Sequence, residues 1–96
     1  MDFIYEDNRI YAKDEFGATI AEVTFPNISK SIVNLNHTFV DDSLRGRGIA
    51  GSLLKAAAKT LREKHKKAYL TCSYAVKWCE AHPDYADVFS DQLDKS

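Results

Sequence analysis

The sequence has few cysteines and no long hydrophobic run, and both shortages narrow the class of protein. Its 96 residues include only two cysteines, Cys72 and Cys79, too few for the disulfide framework of a small secreted domain. The longest apolar stretch is interrupted by Lys55, far short of the roughly 20 residues that a membrane-spanning helix needs. The amino terminus is acidic and lacks the basic start and apolar middle of a signal peptide. We therefore expect one soluble, cytoplasmic domain over residues 1–96, with no membrane partner.

Charge is unevenly distributed along the chain, although the formal net charge is only −1. Residues 1–44 contain eight acidic and three basic side chains, whereas residues 45–67 contain eight basic side chains and one acidic. Residues 68–96 are acidic again. A basic central third in a nearly neutral chain favours a local anionic ligand over a nucleic acid. The alternative is that these lysines only solubilise the outer face of a helix.

Hydrophobic periodicity predicts a mixed α/β fold, in which an antiparallel meander precedes a β-α-β crossover and a short C-terminal helix. Predicted strands occupy residues 3–5, 10–13, 18–25, 32–40 and 68–72, and predicted helices occupy residues 47–65 and 74–81. The strands on either side of the first helix should be parallel, because a crossover joins them. One further turn is expected over residues 84–89, and the polar segment from Gln92 is expected to fray.

The strand over residues 32–40 shows the clearest alternation. Its pattern places Val33, Leu35, His37 and Phe39 on one apolar face. A lone histidine on such a face is most often a hydrogen-bonded core residue. Its strand should neighbour the strand that ends at Cys72, so His37 is also a candidate base toward that thiol or toward an incoming amine.

A glycine-containing loop, Arg45-Gly46-Arg47-Gly48-Ile49-Ala50, separates this strand from the basic helix. Glycine lets the backbone approach a ligand closely, and the first amides of a helix have no internal partner. Together with the helix dipole these amides suit a phosphate or pyrophosphate. The loop lacks the Lys-Ser/Thr of a Walker motif and the spacing of G-x-G-x-x-G. Close packing is the alternative explanation for its glycines.

The loop resembles the Q/R-x-x-G-x-G/A signature of GNAT-superfamily acetyltransferases. Four motifs extend the resemblance to the very small YjdJ-like, or N-acetyltransferase domain-containing, subfamily: His37-Thr38-x-Val40, Arg45-Gly46-x-Gly48-Ile49-Ala50, Cys72-Ser73-Tyr74 and His82-Pro83-x-Tyr85. The resemblance implies a minimal GNAT-like fold that binds acetyl-coenzyme A (acetyl-CoA) between two splayed parallel strands. It implies that acetyl passes to an unidentified amine.

The resemblance also implies roles for individual residues. The loop amides would hold the pyrophosphate of CoA, and Lys55 or Lys59 would reach outer phosphates. The subfamily is thought to use the cysteine at position 72 as an acyl acceptor or in a disulfide with CoA. The cofactor-binding set is then Val40, Arg45, Gly46, Arg47, Gly48, Ile49, Ala50, Cys72, Ser73 and Tyr74.

The catalytic candidates are Cys72, His37 and Tyr74. A thiol near a helix start gains dipole stabilisation of its thiolate, although cysteine is more often buried and inert. Tyr74 and Tyr85 are candidate general acids for a departing CoA thiolate, although tyrosines are more often packing residues. The spacing of Cys72, Cys79 and His82 matches no ordinary zinc pattern, so no metal is expected.

Typical members of the superfamily have further strands after the second helix that help to build the acceptor site. This sequence offers no such strands after its second predicted helix. Their lack favours a second interpretation, a non-catalytic module that binds or senses acyl-CoA. Nucleic-acid binding through the basic helix is a third, disfavoured by the acidic flanks. We expect a monomer or weak dimer.

Overall fold

Two sheets and two α-helices make up residues 2–90, the part of the chain that the computed structural model describes. The strands are β1 (Ile4–Glu6), β2 (Arg9–Lys13), β3 (Thr19–Thr24), β4 (Ile32–Leu35), β5 (His37–Val40), β6 (Lys67–Leu70) and β7 (Phe89–Ser90). The helices are α1 (Ile49–Glu63) and α2 (Ser73–Ala81), with short 3₁₀ turns at Asp42–Leu44 and Pro83–Tyr85. The segment expected to fray lies outside the described residues.

The first sheet is antiparallel, with the strand order β1-β2-β3-β5, and the second is parallel, with the order β4-β6-β7. The predicted meander is confirmed, and so is the parallel pairing across α1, which runs from Ile32 opposite Lys67 to Leu35 opposite Leu70. The predicted fold class is therefore confirmed. Strand β7 was not predicted, because two residues carry no periodic pattern.

The strand predicted to be continuous through Asn36 is divided there. Val33 and Leu35 are buried in the core, whereas His37 and Phe39 are exposed. The expectation that all four side chains share one buried face is therefore wrong.

The cause is an irregularity at Asn36, where the chain passes from one sheet to the other. The Asn36 N–H donates to the carbonyl of Thr24 at 3.3 Å, and its side-chain oxygen accepts from the Thr24 hydroxyl at 2.7 Å. Side chains alternate with a period of two, so one extra residue moves every later side chain to the opposite face. Beyond Asn36 the inward positions are therefore Thr38 and Val40, both half-buried.

Helix α1 is shorter by two residues at each end than the predicted range of 47–65. Gly48 precedes it with a φ of 71°, and His65 follows it with a φ of 56°. The Lys66 N–H donates to the carbonyl of Leu61 at 2.8 Å, the pattern of a helix end with one left-handed residue. The buried face of α1 packs on both sheets through Leu53, Leu54, Ala57, Ala58 and Leu61.

Helix α2 packs beside the first turn of α1 through Trp78, which is 8% exposed. The indole stacks on His82 with ring centroids 4.0 Å apart, and Tyr85 lies 5.1 Å away. A Cβ placed on Gly51 would meet the indole Nε1 at 3.0 Å. The close approach of α1 and α2 therefore depends on a glycine at position 51.

Candidate functional site

A cavity of about 530 Å³ opens between β5, the start of α1 and the first turn of α2. It is lined by Thr38, Val40, Leu44, Arg45, Gly46, Gly48, Ile49, Ala50 and Tyr74. The structure thus brings together most of the residues predicted to bind a cofactor. Three of the predicted residues do not line the cavity: Arg47, Cys72 and Ser73. Thr38 and Leu44 also line the cavity and were missed. For Thr38 the reason is that the irregularity that turns its side chain inward has no signal in the sequence.

The backbone of the loop is shaped by two glycines. Gly46 has a φ of 82° and Gly48 a φ of 71°, values that residues with a Cβ rarely adopt. The first α-helical hydrogen bond of α1 runs from the Ser52 N–H to the Gly48 carbonyl at 3.0 Å. The amides of Ile49 and Ala50 come before that bond, so they are available at the positive end of the helix dipole. The loop therefore presents a concave set of backbone donors to the cavity.

Asp41 stabilises the short 3₁₀ turn that leads into this loop. The Asp41 carboxylate accepts hydrogen bonds from the Ser43 hydroxyl and from the Ser43 N–H, the latter at 3.1 Å. These bonds, the hydroxyl one first, lower the pKa of Asp41 below its ordinary value. Arg45 is exposed and pairs with Asp42 at 2.9 Å between Nε and Oδ1. Its guanidinium therefore lies beside the cavity and is largely exposed to solvent.

Strands β5 and β6 diverge at one end of the cavity. The Leu35 carbonyl accepts from the Thr71 N–H at 3.2 Å and from the Cys72 N–H at 3.3 Å, where the pairing of β4 with β6 ends. Beyond that point β5 pairs with β3 instead. We call the opening between β5 and β6 the strand gap.

Cys72 lies at the apex of the strand gap. It is half-buried and directly precedes α2, and its Sγ lies 3.7 Å from the Thr38 hydroxyl oxygen. Thr38 in turn lines the cavity. The predicted position of Cys72 at a helix start is therefore observed, whereas the strand predicted to end at Cys72 ends at Leu70.

The backbone of β5 also faces the strand gap. The Asp41 N–H donates to the Ile20 carbonyl of β3 at 2.8 Å. In an antiparallel ladder, backbone groups point alternately toward and away from the partner strand. The N–H and C=O groups of Thr38 and Val40 therefore point away from β3 and toward the gap.

The other predicted residues are exposed. Tyr74 is 44% exposed and lines the cavity from the first turn of α2, with Ser73 exposed beside it. Arg47, Lys55 and Lys59 are exposed on the loop and on α1. Their roles toward phosphates stay predictions.

His37 does not contact Cys72, contrary to its predicted role as a base toward that thiol. It lies on the opposite face of β5 from Thr38, and its Nε2 is 3.8 Å from Oε1 of Glu22. The physical reason is the irregularity at Asn36, which reverses the faces of the strand.

Within residues 2–90 no cluster of three or more His, Cys, Asp or Glu side chains is placed to hold a metal ion. In the same part of the chain, none of the helices has the length and apolar character needed to span a bilayer.

Comparison with known proteins gives one consistent family. A family model described as GCN5-related N-acetyl-transferase matches residues 9–88. Protein NATD1 from Gallus gallus is 44% identical over 63 residues, which cover 66% of this chain and 57% of that protein. The chain thus spans little more than half the length of the curated relatives it matches.

Solved structures show the same fold. A GCN5-like protein from Staphylococcus aureus, determined by NMR in solution, superposes with a TM-score of 0.79 and 31% identity, covering 98% of this chain and 91% of that one. The GNAT-family N-acetyltransferase YhbS from Escherichia coli, crystallised in complex with CoA, superposes with a TM-score of 0.57 and 24% identity. That superposition covers 65% of this chain and 38% of YhbS.

Proposed function

The chain belongs to the GCN5-related N-acetyltransferase family, and we propose that it binds acetyl-CoA in the cavity at the start of α1 and transfers the acetyl group to an amine, with Cys72 as a covalent carrier. The observation that carries this proposal is the convergence of the glycine loop, the open edge of β5 and Cys72 on one cavity and its adjoining gap. The CoA complex of the similar E. coli enzyme supports the choice of ligand.

The glycine loop is the proposed pyrophosphate site. Gly46 and Gly48 bring backbone amides to the cavity, where the positive end of the α1 dipole favours a doubly anionic group. Arg45 lines the same cavity and adds a mobile positive charge. Because Arg45 is largely exposed, the fixed backbone donors contribute the specificity and Arg45 contributes attraction that salt screens.

The edge of β5 is the proposed site of the pantetheine arm. The unpaired backbone groups of Thr38 and Val40 alternate donor and acceptor along the strand gap, which matches an extended chain containing amide groups. The apolar side chains of Val40 and Ile49 line the same path. The reactive end of the arm would then lie toward the apex of the gap, at the contact between Thr38 and Cys72.

Bound acetyl-CoA supplies an activated acetyl group at this apex. The Cys72 thiolate forms a bond to the acetyl carbonyl carbon, the bond from that carbon to the CoA sulfur breaks, and the electron pair leaves with the CoA sulfur. Tyr74 supplies the proton for that sulfur from its hydroxyl group, since it lines the cavity from the same turn of α2. The nitrogen of an amine then forms a bond to the acetyl carbon, and the bond from that carbon to the Cys72 sulfur breaks with its electron pair on sulfur. The proton that the nitrogen loses returns to the Tyr74 oxygen, which restores both side chains.

Intact-protein mass spectrometry after incubation with acetyl-CoA tests the covalent step. We expect the wild-type chain to gain one acetyl group that maps to Cys72 and is removed by hydroxylamine. Cys72→Ala should keep its affinity for CoA within about threefold, because the side chain lies outside the cavity lining, while the acetyl adduct disappears.

Cys79→Ala is the matched control, since Cys79 lies two turns along the same helix and should leave the Cys72 adduct unchanged. CoA binding without any acetyl adduct, and with acetyl transfer to an amine retained in Cys72→Ala, would exclude the cysteine carrier. CoA binding without transfer to any amine would favour a non-catalytic acyl-CoA-binding module.

A further inference from the structure

We infer that the Thr38 hydroxyl group is the hydrogen-bond donor that stabilises the Cys72 thiolate, which makes Thr38 a positioning residue for the acyl carrier. The inference rests on the proposed role of Cys72. It assigns a function to a side chain that was not predicted to lie in the site and that faces the cavity from β5.

The Thr38 side chain faces Cys72 because of the irregularity at Asn36. That irregularity turns Thr38 to the inner side of the sheet, where it is half-buried and lines the cavity. Its hydroxyl oxygen lies 3.7 Å from the Cys72 sulfur. Because sulfur is a large atom, this separation is a hydrogen-bond distance. Strand β5 therefore brings a polar group to a thiol that follows a strand of the other sheet.

Backbone hydrogen bonds hold the two side chains in this relation. The Cys72 N–H donates to the Leu35 carbonyl at 3.3 Å, and the Cys72 carbonyl accepts from the Val76 N–H at 3.1 Å in the first turn of α2. On β5, Thr38 lies opposite Val23 in the antiparallel register with β3. Both residues are thus fixed by their own backbone, and the contact between their side chains needs no rearrangement of the chain.

The hydroxyl and the sulfur are each other's partner. In the part of the chain that the structure describes, this contact is the one hydrogen bond of the Thr38 hydroxyl and the one hydrogen bond of the Cys72 sulfur. Cys72 is the N-cap residue of α2, yet its side chain makes no capping bond to the helix amides. The sulfur is therefore directed at Thr38 and not at the start of its own helix.

No ionisable side chain within residues 2–90 is hydrogen-bonded to this sulfur. His37 of β5 points to the opposite face of that strand, and Tyr74 of α2 lines the cavity. Strand β4 has no ionisable residue, and those of β6, Lys67 and Tyr69, lie on the face opposite to its buried residues. The thiolate therefore depends on neutral donors, namely the Thr38 hydroxyl and the positive end of the α2 dipole.

Partial burial makes such a donor important. Cys72 is half-buried and packs against the hydrophobic core, and an apolar environment disfavours a thiolate relative to a thiol. A hydrogen bond to an ionised acceptor is stronger than one between neutral groups. The Thr38 hydroxyl thus favours the ionised form of Cys72 over the neutral form.

The direction of the hydrogen bond changes with ionisation. In the neutral side chain the S–H group donates to the Thr38 oxygen. When the thiol proton passes to water, the Thr38 O–H group rotates and donates to the sulfur, which then carries the negative charge. The same donation recurs when the acetyl group leaves Cys72, because the carbon–sulfur bond breaks with its electron pair on sulfur. Thr38 thus assists both halves of the transfer without exchanging a proton.

Titration of the thiolate tests this assignment without acetyl-CoA. Cys79→Ala protein is the background, because Cys72 is then its single cysteine, and the thiolate is measured as the ultraviolet absorbance that blocking Cys72 removes. We expect Thr38→Val to move the midpoint to higher pH by about one unit, which is about a tenfold change in the equilibrium between thiol and thiolate. Thr38→Ser keeps a hydroxyl group and should restore the midpoint.

The rate of alkylation by iodoacetamide is a second readout. A less stabilised thiolate is rarer but intrinsically more nucleophilic, and these two effects partly cancel. We therefore expect Thr38→Val to lower the alkylation rate at neutral pH by about threefold. The affinity for CoA should stay within about threefold of the wild type, because the substitution keeps the backbone groups that are proposed to bind the pantetheine arm.

Thr71→Val is the matched control. Thr71 directly precedes Cys72, but its hydroxyl donates to the side-chain oxygen of Asn34 at 2.7 Å and not to the sulfur, so the midpoint should not move. An unmoved midpoint in Thr38→Val, a midpoint that Thr38→Ser fails to restore, or an equal shift in Thr71→Val would overturn the assignment. The expected midpoints in a protein that forms no acetyl adduct would instead overturn the proposed carrier, while the hydrogen bond to the thiolate would stand.

Discussion

Two residues with positive φ decide where α1 begins and ends. Gly48, at 71°, turns the chain from the loop into the helix, and His65, at 56°, turns it out. Glycine adopts this region without strain, whereas a side chain with a Cβ makes it unfavourable by about 1–2 kcal/mol. The left-handed conformation is therefore unstrained at Gly48, beside the cavity, and strained at His65, at the other end of α1.

Two substitutions of Gly48 separate the effect of an added charge on CoA binding from the effect of backbone strain. Aspartate and asparagine have nearly the same shape and both tolerate the left-handed region, but only aspartate adds a negative charge beside the loop amides. We expect Gly48→Asp to weaken CoA binding about 100-fold and Gly48→Asn to weaken it less than tenfold, measured by isothermal titration calorimetry.

Gly17 also has a positive φ, 85°, in the turn between β2 and β3. Gly17→Asp therefore controls for strain and charge far from the loop, and it should bind CoA like the wild type. Equal affinities for Gly48→Asp and Gly48→Asn would contradict the assignment of the loop as an anion site.

Replacement of His65 tests the strained helix end. We expect His65→Gly to raise the free energy of unfolding by about 0.5–1 kcal/mol, because relief of strain is partly offset by the larger entropy of glycine in the unfolded chain. His65→Ala keeps the Cβ and should give no increase. Urea denaturation followed by circular dichroism measures both, and an equal increase for the two variants would rule out relief of backbone strain as the cause.

At the level of elements, a close contact joins α1 and α2, the two helices that contribute to the cavity lining. Gly51 and Trp78 form this contact, and the indole is held in place by His82 and Tyr85. An exposed helical glycine is usually stabilised by substitution with alanine, by up to about 1 kcal/mol. Here the added methyl group would press on the Trp78 ring, and the ring contacts with His82 and Tyr85 oppose its displacement.

We therefore expect Gly51→Ala to lower the free energy of unfolding by about 1 kcal/mol, in spite of its better helix propensity. Lys59→Ala, at an exposed position of the same helix, should change it by less than about 0.5 kcal/mol. Thermal unfolding followed by circular dichroism measures both. A Gly51→Ala variant with a higher free energy of unfolding than the wild type would show that α1 and α2 can move apart to accommodate the methyl group at little cost.

Across the whole molecule, an ion pair ties the end of α1 to the segment after α2. Arg62 contacts both carboxylate oxygens of Asp87, at 2.6 and 3.0 Å, and donates to the Asp84 carbonyl at 3.0 Å. The Arg62 hydrogen bonds lower the pKa of Asp87 below its ordinary value. The pair joins residues distant in sequence and helps to fix the position of β7 against β6.

The ion pair between Arg62 and Asp87 makes the free energy of unfolding depend on pH. A carboxylate whose pKa is lower in the folded state contributes stability above its unfolded pKa of about 3.9, and that contribution is lost as pH falls through the folded value. Asp41 acts in the same direction through its bonds to Ser43. We expect the free energy of unfolding to fall as pH is lowered from about 5 to about 3.

Asp87→Asn isolates the contribution of the ion pair. The variant should be less stable than the wild type at neutral pH and should lose less stability on acidification, as measured by urea titrations at each pH. If the free energy of unfolding depended on pH in the same way in both proteins, the pKa of Asp87 would be the same in the folded and unfolded states.

The sequence by itself determined the class of fold, the family and the order of most elements. Alternating and helical periodicities are local properties, so the meander, α1, β6 and α2 were predictable, and the glycine loop with its three companion motifs predicted the confirmed acetyltransferase family. The placement of Cys72 before α2 followed from the same local patterns.

Only the tertiary structure decided which face of β5 each side chain occupies. The irregularity at Asn36 depends on hydrogen bonds to Thr24 of another strand, and no local pattern records such a partner. It moved His37 away from Cys72 and turned Thr38 toward it. The pairing of Glu22 with His37 likewise arises from strand register, which is set by contacts between segments distant in sequence.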